Sequence, residues 1–125
     1  MKEEKRIFAL RGAVQCLNEV EDIRRHVVAL YDELLKQNNL NEGELVSVIF
    51  SVTGDLDAIN PASALRSEGR AEETALFVAQ EAYFPGALER VVRVLIHCYL
   101  DASQIPVHVY CNGAEVLRPD RAYPH

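Results

Sequence analysis

Cysteine is scarce in this chain: Cys16, Cys98 and Cys111 are odd in number, widely spaced and without a CxxC step. That usage suggests neither a disulfide framework nor a zinc site, and it fits a reducing, cytoplasmic compartment. Basic charge is also short. Thirteen Lys and Arg stand against 19 Asp and Glu, a net charge of -6, and the basic residues are dispersed, so the dense patch that phosphate backbones require is missing and no nucleic-acid partner is expected. Long apolar runs are lacking, and the N-terminal stretch MKEEKRIFALRGAV has no extended h-region or small-residue cleavage site. Neither a membrane partner nor a secretory leader is expected. Catalytic signatures are missing too: there is no GxSxG elbow, Walker loop or HExxH, and His26, His97, His108 and His125 lack metal-ligand spacing. Hydrolase and metalloenzyme readings lose ground, and no metal or cofactor is expected.

What is present makes an ordinary globular domain. With 125 residues, 49% apolar and 26% charged, the chain suits one domain spanning 1–125 with one core and one site, or a shared one. Ten of its 13 basic residues are arginine, whose planar fork suits carboxylate ligands.

Ile7–Leu10 reads as a strand stopping at Arg11-Gly12. From Asn18 onward Val20, Ile23, Val27, Leu30, Tyr31, Leu34 and Leu35 recur at helical spacing, with Asn18 and Glu21 placed like a capping box and Gln37-Asn38-Asn39 as the stop. Leu45–Val52 reads as a buried strand, so strand, long helix and strand form a right-handed crossover in a mixed sheet. Asn60-Pro61 starts a short helix through Leu65, with Arg66 near its end. Ala75–Gln80 is the next strand, and Pro85-Gly86 breaks the chain before Val91–Tyr99. In that last segment Val92, Val94, Ile96 and Cys98 share one face, while Val91, Arg93, Leu95, His97 and Tyr99 share the other. Asn112-Gly113, between Val107–Tyr110 and Glu115–Leu117, predicts a final hairpin.

Polar residues within strands or at their ends are the candidates for chemistry: Arg11, Arg66, Glu81, Arg93, Tyr110 and Arg118. Arg93 inside an apolar strand must be exposed, paired with a carboxylate, or reserved for a ligand, because burial without a partner costs several kcal/mol. Glu81 suits a solvated strand end or the role of that partner. Tyr110 suits a core ring with its hydroxyl at the rim. Arg11 and Arg118 suit surface turns, and Arg66 suits a helix C-terminus.

Taken in order, Leu10-Arg-Gly-Ala13, Ser51-Val-Thr-Gly-Asp-Leu-Asp-Ala58, Pro61-Ala62, Ala64-Leu-Arg66, Gln80-Glu81, Pro85-Gly86, Arg90-Val-Val-Arg-Val94, His108-Val-Tyr110 and Val116-Leu-Arg-Pro-Asp120 resemble the AroH-type chorismate mutases along nearly the whole chain. The resemblance implies an α+β fold, a pseudo-α/β barrel with a mixed sheet and one long helix packed on it. It also implies a homotrimer with sites between subunits, and the rearrangement of the chorismate dianion to prephenate without a cofactor. Residue by residue it implies that Arg93 meets the breaking ether oxygen and that Glu81 accepts from the ring hydroxyl. Arg11 and Tyr110 would contact the side-chain carboxylate, and Arg66 and Arg118 would enclose the anion. Asn60, Val78 and Leu117 would complete the substrate pocket, and a flexible tail would begin at about residue 120.

Two positions depart from the family pattern. Asn60 stands where phenylalanine is usual, with helix capping as its own rationale. Val78 stands where a small polar residue is frequent, so only its backbone N–H is left to serve a ligand. These departures keep open a non-catalytic trimer that binds chorismate-like dicarboxylates. Fold analogy alone raises an enamine or imine deaminase.

Overall fold

The computed structural model describes residues 4–118. Pro119-Asp120 and the tail expected from about residue 120 lie outside the described residues. Among the described residues five strands form one sheet: β1 (Lys5–Gln15), β2 (Leu45–Val52), β3 (Ala75–Gln80), β4 (Val91–Asp101) and β5 (Val109–Cys111). Two α-helices accompany them, α1 (Val20–Gln37) and α2 (Pro61–Ser67). The strand order is β3-β2-β4-β1-β5. β4 runs antiparallel to both β1 and β2, whereas β1 with β5 and β2 with β3 are parallel. The sheet is therefore mixed, as expected, and β4 separates the two strands that α1 connects.

Alternation gives the sheet two unlike faces. Leu10, Val14, Val48, Phe50, Val92, Val94, Ile96 and Cys98 are buried in one core with Ile23, Val27, Leu30, Tyr31 and Leu34 of α1 and Leu65 of α2. The helical spacing of the α1 residues places them on one stripe, and that stripe covers this face. A smaller buried cluster of Ala13, Val91, Tyr110 and Ala114 lies apart from it. Burial also holds the thiols protonated, raising Cys16 to about 12 and Cys98 and Cys111 to about 11.

Several expectations are corrected. β1 does not stop at Arg11-Gly12 but continues through Gln15. Gly12 is there for space: a Cβ at this position would lie 2.9 Å from Leu34 Cδ1 and 3.1 Å from Leu30 Cδ1, so the missing side chain is what lets α1 settle on the strand. Asn18 does not cap α1, whose N-cap is Glu19, without a side-chain bond. Asn18 instead accepts from the backbone N–H groups of Asp57 and Ala58, each at 3.0 Å, tying the loop after β2 to the start of the helix. The final hairpin does not form. Asn112 and Gly113 are both left-handed, as such a turn requires, but the chain continues as a 3-10 turn over Ala114–Leu117, and β5 bonds to β1 in parallel.

Candidate active site

The face of the sheet turned away from the helices carries the chemistry. Across it, Ala79 of β3, Ser51 of β2, Arg93 of β4, Ala13 of β1 and Tyr110 of β5 stand in register as one row. Arg11 is in the adjacent row, opposite Leu95. The three residues Arg11-Gly12-Ala13 thereby divide their work: Arg11 and Ala13 face the open side, and Gly12 accommodates α1. Around Arg93 lies a cleft of about 310 Å³ lined by Arg11, Ile49, Ser51, Leu95 and Tyr110 among others. Two guanidinium groups and a phenol thus converge on apolar walls, where charge interactions are less screened than in bulk water.

Glu81 is the carboxylate partner of Arg93. Its Oε2 accepts from Arg93 Nε at 2.8 Å and from Ser51 Oγ at 2.7 Å. Its backbone N–H extends the β2–β3 ladder by one bond, to the Val52 carbonyl at 2.8 Å. Arg93 remains 44% exposed at its side chain, so it is neither sealed in a core nor left without a partner. On the far side of the cleft, His108 Nδ1 accepts from the Arg11 backbone N–H at 2.9 Å, fastening the segment that leads to Tyr110. An accepting Nδ1 puts the proton of a neutral imidazole on Nε2.

The start of β4 is clamped by the loop after β2. Both Asp55 oxygens accept from Arg90 N at 3.1 Å, and Thr53 Oγ1 accepts from Val91 N at 2.9 Å. The stretch from Thr53 to Ala58 therefore holds backbone, two or three residues before Arg93, and does not itself line the cleft.

Of the other candidates, Asn60, Arg66 and Val78 do not line this cleft. Asn60 caps α2, accepting from Ala62 N at 2.8 Å and Ser63 N at 3.3 Å. Arg66, at the other end of α2, donates to the Thr74 carbonyl at 2.9 Å. Val78 packs its side chain into the helix-covered core; only its backbone is left for a ligand. Leu117 packs against the cluster containing Ala13, Val91 and Tyr110, which brings Arg118 to that edge of the sheet. Ser51 was missed as a site residue, since a serine in a β-rich run gives no signal until its partner on another strand is known. A cleft of similar size, about 330 Å³, between Gln15, Cys16, Leu17, Asp22, His26, Arg90 and Asn112, holds none of the candidates. Several of its polar groups bond to one another: Asp22 accepts from Leu17 N at 2.7 Å, and Asn112 donates to the Gln15 carbonyl at 2.6 Å.

A five-stranded mixed sheet with two guanidinium groups and one carboxylate gathered on the face turned away from its helices defines an α+β protein with a cleft suited to a small anion. Residues 7–121 match the family Chorismate mutase type I, and the chain belongs to that family, which makes it an isomerase. It is 39% identical over 117 residues to a chorismate mutase AroH of Thermus thermophilus, covering 91% of this chain and 95% of that protein. It is 29% identical over 116 residues to the chorismate mutase AroH of Bacillus subtilis, covering 91% of each. Among solved structures, a chorismate mutase from Clostridium thermocellum superposes with a TM-score of 0.80 at 38% identity, covering 87% of this chain and 98% of that one.

Proposed function

We propose that this chain, as a single domain, converts chorismate to prephenate in phenylalanine and tyrosine synthesis, working in the cytoplasm as a homotrimer of pseudo-barrel subunits with sites between neighbours. The reaction is an intramolecular Claisen rearrangement: one ether C–O bond breaks as one C–C bond forms. It needs a compact conformer and stabilised charge separation, and no group is transferred to the enzyme.

The observation that carries the reading is the single contact between Arg93 Nε and Glu81 Oε2. Arg93 is fixed in direction, yet its two terminal amino groups remain for the ether oxygen, where negative charge grows in the transition state. An interaction strengthening only as the bond lengthens accelerates the chemical step. Glu81 Oε1 would accept from the ring hydroxyl. Arg11 and Tyr110 would hold the side-chain carboxylate, while Arg118 and Leu117 close the edge beside Tyr110. Asn60, Arg66 and the Val78 backbone would then reach the substrate of a neighbouring subunit. Their separation from the Arg93 cleft supports a site shared between chains. So does the uncovered sheet face, where Ile7, Phe77 and Tyr99 are 49%, 64% and 50% exposed, an apolar surface of the kind that a symmetric partner covers.

The test is the ultraviolet loss of chorismate with wild type and Arg93→Ala, prephenate being identified by acid conversion to phenylpyruvate. Wild type turns over, and the variant loses about two to three decades of rate. Binding of chorismate without turnover would select the non-catalytic trimer, and a mild loss in the variant would remove Arg93 from its role. Sedimentation at micromolar concentration is expected to give a trimer; a monomer contradicts the shared site.

A further inference from the structure

We infer that Ser51 is a positioning residue for this reaction, acting through Glu81 to keep the terminal amino groups of Arg93 available to the substrate; the inference rests on the chorismate mutase reading. A guanidinium and a carboxylate left to themselves favour a two-pronged pairing, in which two N–H groups meet two oxygens. Such a pair would occupy one of the terminal amino groups that the rearrangement needs. Here the pairing is single. Both donors to Glu81 meet the same oxygen, Arg93 Nε at 2.8 Å from β4 and the Ser51 hydroxyl at 2.7 Å from β2.

The geometry explains why a second donor matters. Ser51 and Arg93 are direct partners across the β2–β4 ladder, and Glu81 follows β3, on the other side of β2. The carboxylate therefore reaches over Ser51 toward Arg93. The serine hydroxyl beside it holds Oε2, which fixes the rotation of the carboxylate and leaves Oε1 outside the pair with Arg93. Ile49 and Leu95, in the neighbouring row, wall this part of the cleft, so water competes less for the hydroxyl than it would on an open surface. Remove the hydroxyl and the carboxylate is free to rotate into the two-pronged pair, withdrawing Oε1 and one Arg93 amino group from the substrate together.

A pair of variants isolates the hydroxyl. Ser51→Thr keeps it and Ser51→Val replaces it with a methyl group, and both side chains are β-branched and suited to a strand. Ser51→Thr is expected to retain kcat within about twofold of wild type, and Ser51→Val to lose about tenfold in kcat with KM changed less, as for one hydrogen bond to a charged group. In a Glu81→Ala background the Thr and Val variants are expected to differ by less than about twofold, because the side-chain oxygen through which Ser51 acts is gone. Equal kcat for Thr and Val in the parent enzyme overturns the inference. So does a tenfold difference that persists when Glu81 is truncated by Glu81→Ala, which would mark Ser51 as structural. Both outcomes leave an active wild type standing, whereas a wild type without turnover removes the chorismate reading and this inference with it.

Discussion

The two faces of the sheet are built from the same strands and do opposite things. Toward the helices, Leu10, Val48, Val92, Ile96 and Cys98 are fully buried, with essentially no exposed surface. Toward the open side the same strands present Arg11, Ser51, Arg93 and His97, of which Ser51 and Arg93 bond to Glu81 and His97 lies against Ser47. Period-two alternation separates the two jobs by a single residue at every step. The covered face holds the fold and the open face holds the site, so a change on one side should leave the other nearly intact.

The largest effect expected is catalytic. Arg93→Ala should lose about 3–4 kcal/mol of transition-state stabilisation, the two to three decades given above. Its melting temperature should move by only a few degrees, because a half-exposed ion pair contributes about 0–1 kcal/mol to stability. Leu34→Ala should do the reverse. Leu34 is fully buried and faces Gly12 across the helix–sheet junction, so truncation should cost about 3 kcal/mol in a denaturant titration, with kcat per folded molecule retained. If Leu34→Ala silenced turnover in the folded protein, the separation of the faces would fail. Smallest is Asn60→Ala. As the N-cap of α2 it should lose about 1 kcal/mol of stability. If its amide also serves a neighbour's substrate, KM should rise as well, and an unchanged KM confines Asn60 to capping.

Much of this was legible in the chain. Leu45–Val52 and Ala75–Gln80 are bounded as their β-branched and apolar runs predicted, and α2 starts at Asn60-Pro61 because both residues act locally, one as acceptor and one by its fixed φ. The alternation in Val91–Tyr99 placed Arg93 opposite the core face, and the open side is where it lies. Errors fell where the deciding partner is remote. Gly12 looked like a stop because the helix pressed against it comes from residues 30 and 34. Asn18 looked like a cap because Asp57 and Ala58, which take its carbonyl oxygen, lie 39 and 40 residues away. Asn112-Gly113 turned the chain as expected, but a turn dipeptide does not determine whether the next segment finds a free ladder edge.

The sequence by itself determined most of the elements, the face on which each strand residue stands, and through its ordered motifs the chorismate mutase family. These follow from periodicity and local backbone chemistry, which act over a few residues. Only the tertiary structure decided that Glu81 is the partner of Arg93, that Ser51 shares the same oxygen from 30 residues away, and that Asn60 and Arg66 stand apart from the Arg93 cleft. Those pairings depend on strand order and register, which are set by the burial of one whole face under α1 and by the clamp of Asp55 on Arg90, and no local pattern encodes them.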